Sequence, residues 1–340
     1  MRVLQAMAGA PHGGAEAFFE RLVSALSRAG LVQHVLIRRN APRAERLRQA
    51  GVDPVELGFG SVLDFSTRRA FQREVRRFQP DIVLTWMSRA TRFCPRNGFV
   101  HVARLGGYYD VKHYRHCGHL IGNTRDIVKY LVESGWPVGR AHYLPNFVDA
   151  TRMAAVPRAT FATPEHVPLA LALGRLHENK ALDILIAALR DLPQLWLWIA
   201  GDGPERAALQ SQAASSGVAE RVRFVGWRED VPALLAAADV LVCPSRHEPL
   251  GNVVIEGWAH RCPVVAAASA GPLSLIRDGE SGIVVPVDDA PALAGALARV
   301  LADGGLKARL VDGGRQAYET DFTEAAVVKR YLDFFAQVAR

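Results

Sequence analysis

Two carboxylates eight residues apart, Glu248 and Glu256, bracket a Pro-Leu-Gly turn in the segment SRHEPLGNVVIEGWA. The apolar spacing after Gly251 predicts a helix over 253–260, which places Glu256 about a turn inside it and Glu248 just before it. Acids so placed can read hydroxyl groups at two points of one elongated ligand; the plain alternative is a pair of solvated acids. Between them, the N–H groups of Leu250, Gly251, Asn252 and Val253 open the helix, where free donors and the positive dipole end suit an anion. A cationic pair, Arg175 and Lys180, lies five residues apart in GRLHENKALDIL and joins a planar fork to a point charge. Aimed at one place, these two suit a diphosphate whose negative charge grows as it departs.

Weaker signals lie in other loops. Gly13 and Gly14 in AGAPHGGAEAF let backbone approach a phosphate ahead of a helix, or simply make a tight turn. The spacing is not the GxGxxG dinucleotide fingerprint. Gly201 opens GDGPERAAL, a turn with Pro204 at a helix start, and is expected to line a cleft. In VGWREDVPAL, Trp227 or Arg228 can pack on a flat base, or the segment is a capping loop with an exposed aromatic and Asp230 as the cap.

Positioning these loops requires sheets. Short apolar runs at 3–7, 34–38, 81–86, 100–105, 119–123 and 141–146 alternate with helical patterns at 15–29, 43–50 and 124–133. A Pro-containing stretch at 148–168 without a clean period reads as a linker. The alternation then restarts, with strands at 169–174, 194–201, 221–226, 240–245, 263–267 and 282–286 and helices at 180–190, 205–216, 231–238 and 253–260. Continuous Val/Ile/Leu strands alternating with helices predict parallel sheets covered on both faces, hence an α/β protein of two doubly wound, Rossmann-like domains over 1–150 and 165–320. Ligands of such sheets bind beyond the carboxyl ends of the strands, so two facing sheets create one central cleft. A last helical pattern, over 322–340, carries Val327, Tyr331, Phe334 and Phe335 on one face.

With 340 residues, 49% hydrophobic and 22% charged, disorder and collagen-like order are excluded. Four scattered cysteines, never paired as CxxC, exclude a disulfide framework and fit a reducing compartment. His113, His116, Cys117 and His119 straddle a helix end and a strand start, so no metal site is expected there. No run of about 18 apolar residues exists to span a membrane, and the N-terminus does not read as a signal peptide, so a cytoplasmic protein is expected. Residues 1–150 carry 22 Lys and Arg against 12 Asp and Glu, whereas 151–340 carry 19 against 22. Arginines crowd 64–79, where Phe71, Val75 and Phe78 form a helical stripe ringed by Arg68, Arg69, Arg73, Arg76 and Arg77. That face is either a solvated surface or a peripheral contact with an anionic membrane.

The segment SRHEPLGNVVIEGWA resembles the E-x7-E signature of retaining glycosyltransferases of the GT-B fold, family 4. GRLHENKALDILIAAL, IAGDGPERAAL, VRFVGWREDVPALLAAADVLVCPS and PVVAAASAGPLSLIRDGESGIVVP resemble the family's other blocks in order, and GGAE at 13–16 its glycine-rich loop. The resemblance implies transfer of a sugar from a nucleotide-sugar, a UDP-sugar by base rate, with retention at the anomeric carbon and no metal or other cofactor. Arg175 and Lys180 then hold the diphosphate and Glu248 the donor sugar. Leu250 to Val253 give backbone contacts, Glu256 takes the ribose hydroxyls, and Gly13 and Gly14 approach the phosphates from the acceptor domain. The last helix is implied to cross back to the first domain. The family's N-terminal histidine position falls on Leu105, and none of His101, His113, His116 or His119 matches it, which leaves Gly106, Gly107, Tyr108 and Tyr109 to line the acceptor side. The expected acceptor is a cell-envelope glycolipid or polysaccharide such as a lipopolysaccharide core, with no nucleic-acid partner. An epimerase of the same fold and a basic membrane or nucleic-acid adaptor are the alternatives; neither needs the full Arg175, Lys180, Glu248 and Glu256 set.

Overall fold

A strand buried on both faces must be nearly all apolar, and β4 (Ile82–Trp86), whose one polar residue is Thr85, and β11 (Val240–Cys243) are buried at every residue. The structure, a computed structural model, describes residues 1–11, 13–61, 63–96 and 98–339. The described chain divides into two units, one of residues 1–147 with 324–340 and one of 148–323.

In the first unit, β1 (Arg2–Met7), β2 (Val32–Arg38), β3 (Val55–Leu57), β4, β5 (Val100–Leu105), β6 (His119–Gly122) and β7 (Ala141–Tyr143) form a parallel sheet in the order 3-2-1-4-5-6-7. The helices between strands are α1 (Gly14–Arg28), α2 (Ala41–Gln49), α3 (Phe65–Phe78), α4 (Met87–Phe93) and α5 (Arg125–Glu133). Their starts follow local chemistry: Asn40, Asp64 and Thr124 each accept a backbone N–H of the first turn. Asp64 also accepts from Ser66 and from the Gly60 N–H, which holds its carboxyl well below the usual range. The arginine stripe is amphipathic, with Phe71 buried beside Phe59 and Phe93 and the five arginines exposed. Helix α13 (Glu324–Val338) packs on this same unit, where Val327, Tyr331 and Phe335 join Phe18, Phe19 and Leu22 of α1 in one core. Arg104, buried, donates to the Tyr331 hydroxyl and to Asn146 and lies over the rings of Phe18 and Trp86.

In the second unit, β8 (Leu169–Leu173), β9 (Trp196–Ala200), β10 (Val222–Gly226), β11, β12 (Val264–Ala267) and β13 (Ile283–Val285) form a parallel sheet in the order 10-9-8-11-12-13. Its helices are α6 (Leu182–Ala188), α7 (Arg206–Ser215), α8 (Val231–Ala237), α9 (Asn252–Ala259), α10 (Ala270–Leu275), α11 (Ala290–Ala302) and α12 (Gly304–Asp321). The order reverses between β8 and β11, so the loops leaving these two strands are neighbours at the switch point. The stretch 148–168 packs on this unit and is not a free linker. Arg158 donates to the Val167 and Ala237 carbonyls and pairs with Asp239 at 3.0 Å, and Trp198 donates to Thr163. The helix expected over 180–190 is divided. A tight turn at Glu178–Lys180 precedes Ala181 in the left-handed region, and α6 starts only afterwards.

Candidate functional site

The switch point of the second unit gathers the residues with the strongest chemical spacing. Beyond β8, Gly174 has φ +140, and a Cβ there would sit 3.3 Å from Cε of Lys180, so the lysine stem runs back along the strand end. Beyond β9, Gly201 has φ +153, and a Cβ would sit 1.8 Å from the Gly174 carbonyl oxygen. Gly201 therefore supplies close packing of adjacent strand ends. Beyond β11, Arg246 donates to the Glu178 carbonyl, pairs with both oxygens of Asp183 at 2.9 and 2.6 Å, and pairs with Asp288 at 2.6 Å. The loop after β11 is thereby clamped to the turn that carries Lys180.

Within this clamp Lys180 Nζ donates to Glu248 Oε2 in a short ion pair, the two side chains being 25% and 12% exposed. Burial works against the Lys180 ammonium. The Glu248 carboxylate, by charge and hydrogen bond, then Cys243 and Glu256, outweigh it, so the lysine pKa is raised and the charge retained. Burial, reinforced by the Glu248 charge, pushes the Cys243 thiol up to about 11. Glu248 is fixed from three sides: by Lys180, by the Gly251 N–H on its Oε1 at 3.3 Å, and by the Gly271 N–H on its carbonyl at 2.7 Å. Gly251 caps α9 with φ +77, and Glu256 lies one turn inside that helix and feels the Lys180 charge. Arg175 is exposed, and no protein group pairs with it among the described residues.

Other expected residues are placed less tightly. Trp227 is 71% exposed. Arg228 pairs with both oxygens of Asp230 at 2.8 and 2.6 Å and lies over the Phe161 ring. Asp230 stands at the start of α8, but its carboxylate faces Arg228 and makes no cap, contrary to the expected capping role. Gly13, Gly14 and the 106–109 segment belong to the first unit. There Glu16 folds back under the glycine-rich loop: its Oε1 accepts the Ala10 N–H at 2.7 Å, and a Cβ on Gly13 would sit 2.3 Å from its Oε2. A buried carboxylate thus already occupies the start of α1. His12 of this loop lies outside the described residues. Tyr108 donates to Asp126 at 2.5 Å, and burial with that bond pushes its hydroxyl up to about 12. Burial and the charge of Glu16 raise Tyr109, which puts the two loops within electrostatic reach. Leu105 is wholly buried beside Tyr114 and Leu120. His113 and His116 are exposed, whereas Cys117 faces His101 and His119 faces His142. Among the described residues no group of three His, Cys, Asp or Glu could hold a metal ion.

Sequence reading missed Glu16, Arg246, Ser269 and Gly271. Ser269 Oγ is buried at the start of α10 without a partner among the described residues, and a Cβ on Gly271 would sit 2.6 Å from the Glu248 carbonyl oxygen. The Ala-Ser-Ala-Gly-Pro run at 268–272, a small-residue turn before a helix, carries that signal.

Comparison with known proteins gives the family. The family described as "Glycosyl transferases group 1" matches residues 167–303, and "Glycosyltransferase Family 4" matches 12–152. The lipopolysaccharide core biosynthesis glycosyltransferase LpsE of Rhizobium meliloti is 36% identical over 332 residues, 95% of this chain and 96% of the relative. The chain belongs to glycosyltransferase family 4. As a family 4 glycosyltransferase it is a transferase enzyme of GT-B architecture. A glycosyltransferase from Rickettsia africae superposes with a TM-score of 0.88 at 16% identity, covering 100% of this chain and 98% of the other. Anabaena Alr3699/HepE in complex with UDP and glucose superposes at 0.83 and 20%, covering 99% and 100%. No helix of this glycosyltransferase is long and apolar enough, among the described residues, to cross a membrane.

Proposed function

We propose that the chain transfers a sugar from a nucleotide-sugar, a UDP-sugar first, to a cell-envelope glycolipid or polysaccharide such as a lipopolysaccharide core, with retention and without a metal. The observation that carries this reading is the Lys180–Glu248 pair at the β8/β11 switch point, with Glu256 one turn into the adjoining helix. The LpsE name supports the acceptor, and the ligands of the HepE structure support the donor.

In this mechanism the second unit holds the donor and the first the acceptor. Lys180 and Arg175 neutralise the diphosphate as the bond from the anomeric carbon to the phosphate oxygen breaks. Arg175, without a partner among the described residues, is available for a phosphate fork. Glu248, fixed by Lys180 and two backbone N–H groups, orients sugar hydroxyls. The N–H groups at the start of α9 face the phosphate, and Glu256 accepts from the ribose hydroxyls. Trp227, Arg228 and Gly201 line the nucleotide side, Gly13 and Gly14 are assigned to the donor phosphates, and 106–109 serve the acceptor side. The acceptor hydroxyl attacks on the face the phosphate leaves, and its proton passes to the departing phosphate oxygen. Contact with an anionic membrane runs through 64–79, where Leu63 and Phe65, 74% and 61% exposed, adjoin the arginines.

The test is turnover of UDP-, GDP- and ADP-sugars with lipopolysaccharide core acceptors, the product anomer being read by proton NMR and the reaction repeated in a chelator. Retention with a UDP-sugar and undiminished rate in chelator are expected. Inversion, or complete loss in chelator, would contradict the mechanism.

A further inference from the structure

Between α3, the end of α4 and the connection from β5 to β6, all within the first unit, lies a cavity of about 490 Å³. Arg68, Arg92, Arg96, Lys112, His113 and His116 line it, and among the described residues no Asp or Glu does. Asp110, on the outside, pairs with Lys112 at 2.6 Å and lies near His113. Among the described residues no other carboxylate pairs with the six. Arg68 is held over the Phe93 ring, 5.5 Å from its centroid. The floor is uncharged: Thr91 and His101 are buried and linked through the Thr85 hydroxyl, at 2.8 and 3.0 Å. Burial, then the charge of His116, pulls the His101 pKa down to about 4, so the ring stays neutral.

Four permanent cations around one concavity repel one another, and an anion relieves that repulsion. Guanidinium forks match the oxygens of a phosphate and bind it bidentately. Pockets for small molecules run from about 300 to 1,000 Å³, so the volume admits a saccharide with its phosphate. The wall that bears Lys112 continues the segment of Gly106 to Tyr109.

We propose that this cavity binds a phosphate monoester carried on a saccharide, lipid-linked or soluble, with Arg92 and Arg96 gripping the phosphate and Arg68 and Lys112 completing the charge. The assignment deepens the acceptor side of the proposed function and rests on that reading only in making this ligand the acceptor. Binding is measured without turnover, so the two can fail separately.

The experiment is calorimetric titration of the full chain with glucose 6-phosphate, inorganic phosphate and glucose, with phosphatidylglycerol vesicles as a separate arm. Glucose 6-phosphate should bind, more tightly than inorganic phosphate, and glucose should not. R92Q/R96Q, exposed positions whose change spares the core, should weaken glucose 6-phosphate about tenfold or more, and K112Q less. K180A, in the other unit, should leave that binding unchanged. Absent binding, or binding indifferent to R92Q/R96Q, would overturn the proposal. Equal affinity for inorganic phosphate would overturn the saccharide assignment. Loss in K180A would move the phosphate to the donor site, and R92Q/R96Q-sensitive binding of vesicles alone would make the cavity a headgroup contact; either result overturns the proposal.

Discussion

Lys180→Ala deletes the ammonium that holds Glu248 and strands a carboxylate whose side chain is 12% exposed. Breaking a fully buried ion pair from one side costs about 3–5 kcal/mol, while exposed pairs contribute about 0.2–1 kcal/mol. With side chains 25% and 12% exposed, this pair lies between those limits, and we expect K180A to lose about 2 kcal/mol of stability. In a unit of this size that lowers Tm by roughly 4–8 °C. The effect on transfer should be larger. One preorganised donor aimed at developing charge is worth about 3–4 kcal/mol, or roughly 100- to 1000-fold in kcat. K180A/E248A removes the stranded charge and should regain about 1 kcal/mol of stability while regaining none of the turnover. Urea denaturation followed by circular dichroism reads the first quantity, and release of nucleoside diphosphate at saturating donor reads the second. Turnover of K180A within about threefold of the unaltered chain, a difference below 1 kcal/mol, would refute the reasoning.

Glu256→Gln should raise KM for the donor about tenfold with kcat little changed, because the lost bonds hold the ribose equally in ground and transition states; a large fall in kcat instead would move Glu256 to the reacting centre. Replacing Arg68, Arg69, Arg73, Arg76 and Arg77 by Gln should weaken binding to anionic vesicles, and the salt dependence of binding should shrink with it; unaltered vesicle binding would remove the membrane contact. Acid should destabilise the first unit. His101 titrates near pH 4 when folded and near 6.5 when unfolded, so the unfolded chain takes up more protons between those values. Stability is complete above about pH 6.5 and falls by up to about 3 kcal/mol as pH drops to about 4. His142, pushed down by burial and by His119, steepens the same slope. Urea titrations at pH 7, 5.5 and 4.5 measure it, and H101Q should flatten it; a slope unchanged in H101Q would assign it elsewhere.

The strands were legible because a strand covered on both faces cannot hide its apolar run, and β1, β5 and β8 fall within a residue or so of their expected ends. Less legible were β3, three residues long, and α4, which starts at Met87 with φ +61 directly after β4. Neither gives enough periodicity to be seen. Helices α11 and α12 lie outside the expected elements, although Leu293, Leu297 and Val300 in one and Leu306 and Leu310 in the other recur at helical spacing. The break at Ala181 has a local and a tertiary part: the His177 side chain accepts the Asn179 N–H within the turn, and Arg246, 68 residues beyond Glu178, holds the turn from outside, which local periodicity does not encode. In the candidate site, Lys180, Glu248 and Glu256 stood out in the sequence because the two acids bracket a Pro-Leu-Gly turn and the lysine follows a strand end, and the structure brings Lys180 and Glu248 together. Glu16 was not, since an acid in the first turn of a helix is ordinary. The basic cavity escaped because its cations come from three separate segments, each of which reads alone as a solvated face.

The most direct test of the central claim is a crystal structure of the chain with UDP bound. The account predicts the diphosphate against Lys180, Arg175 and the N–H groups at the start of α9, with the ribose hydroxyls on Glu256. A nucleotide seated elsewhere, or one seated there with Lys180 and Glu256 out of reach, would contradict it.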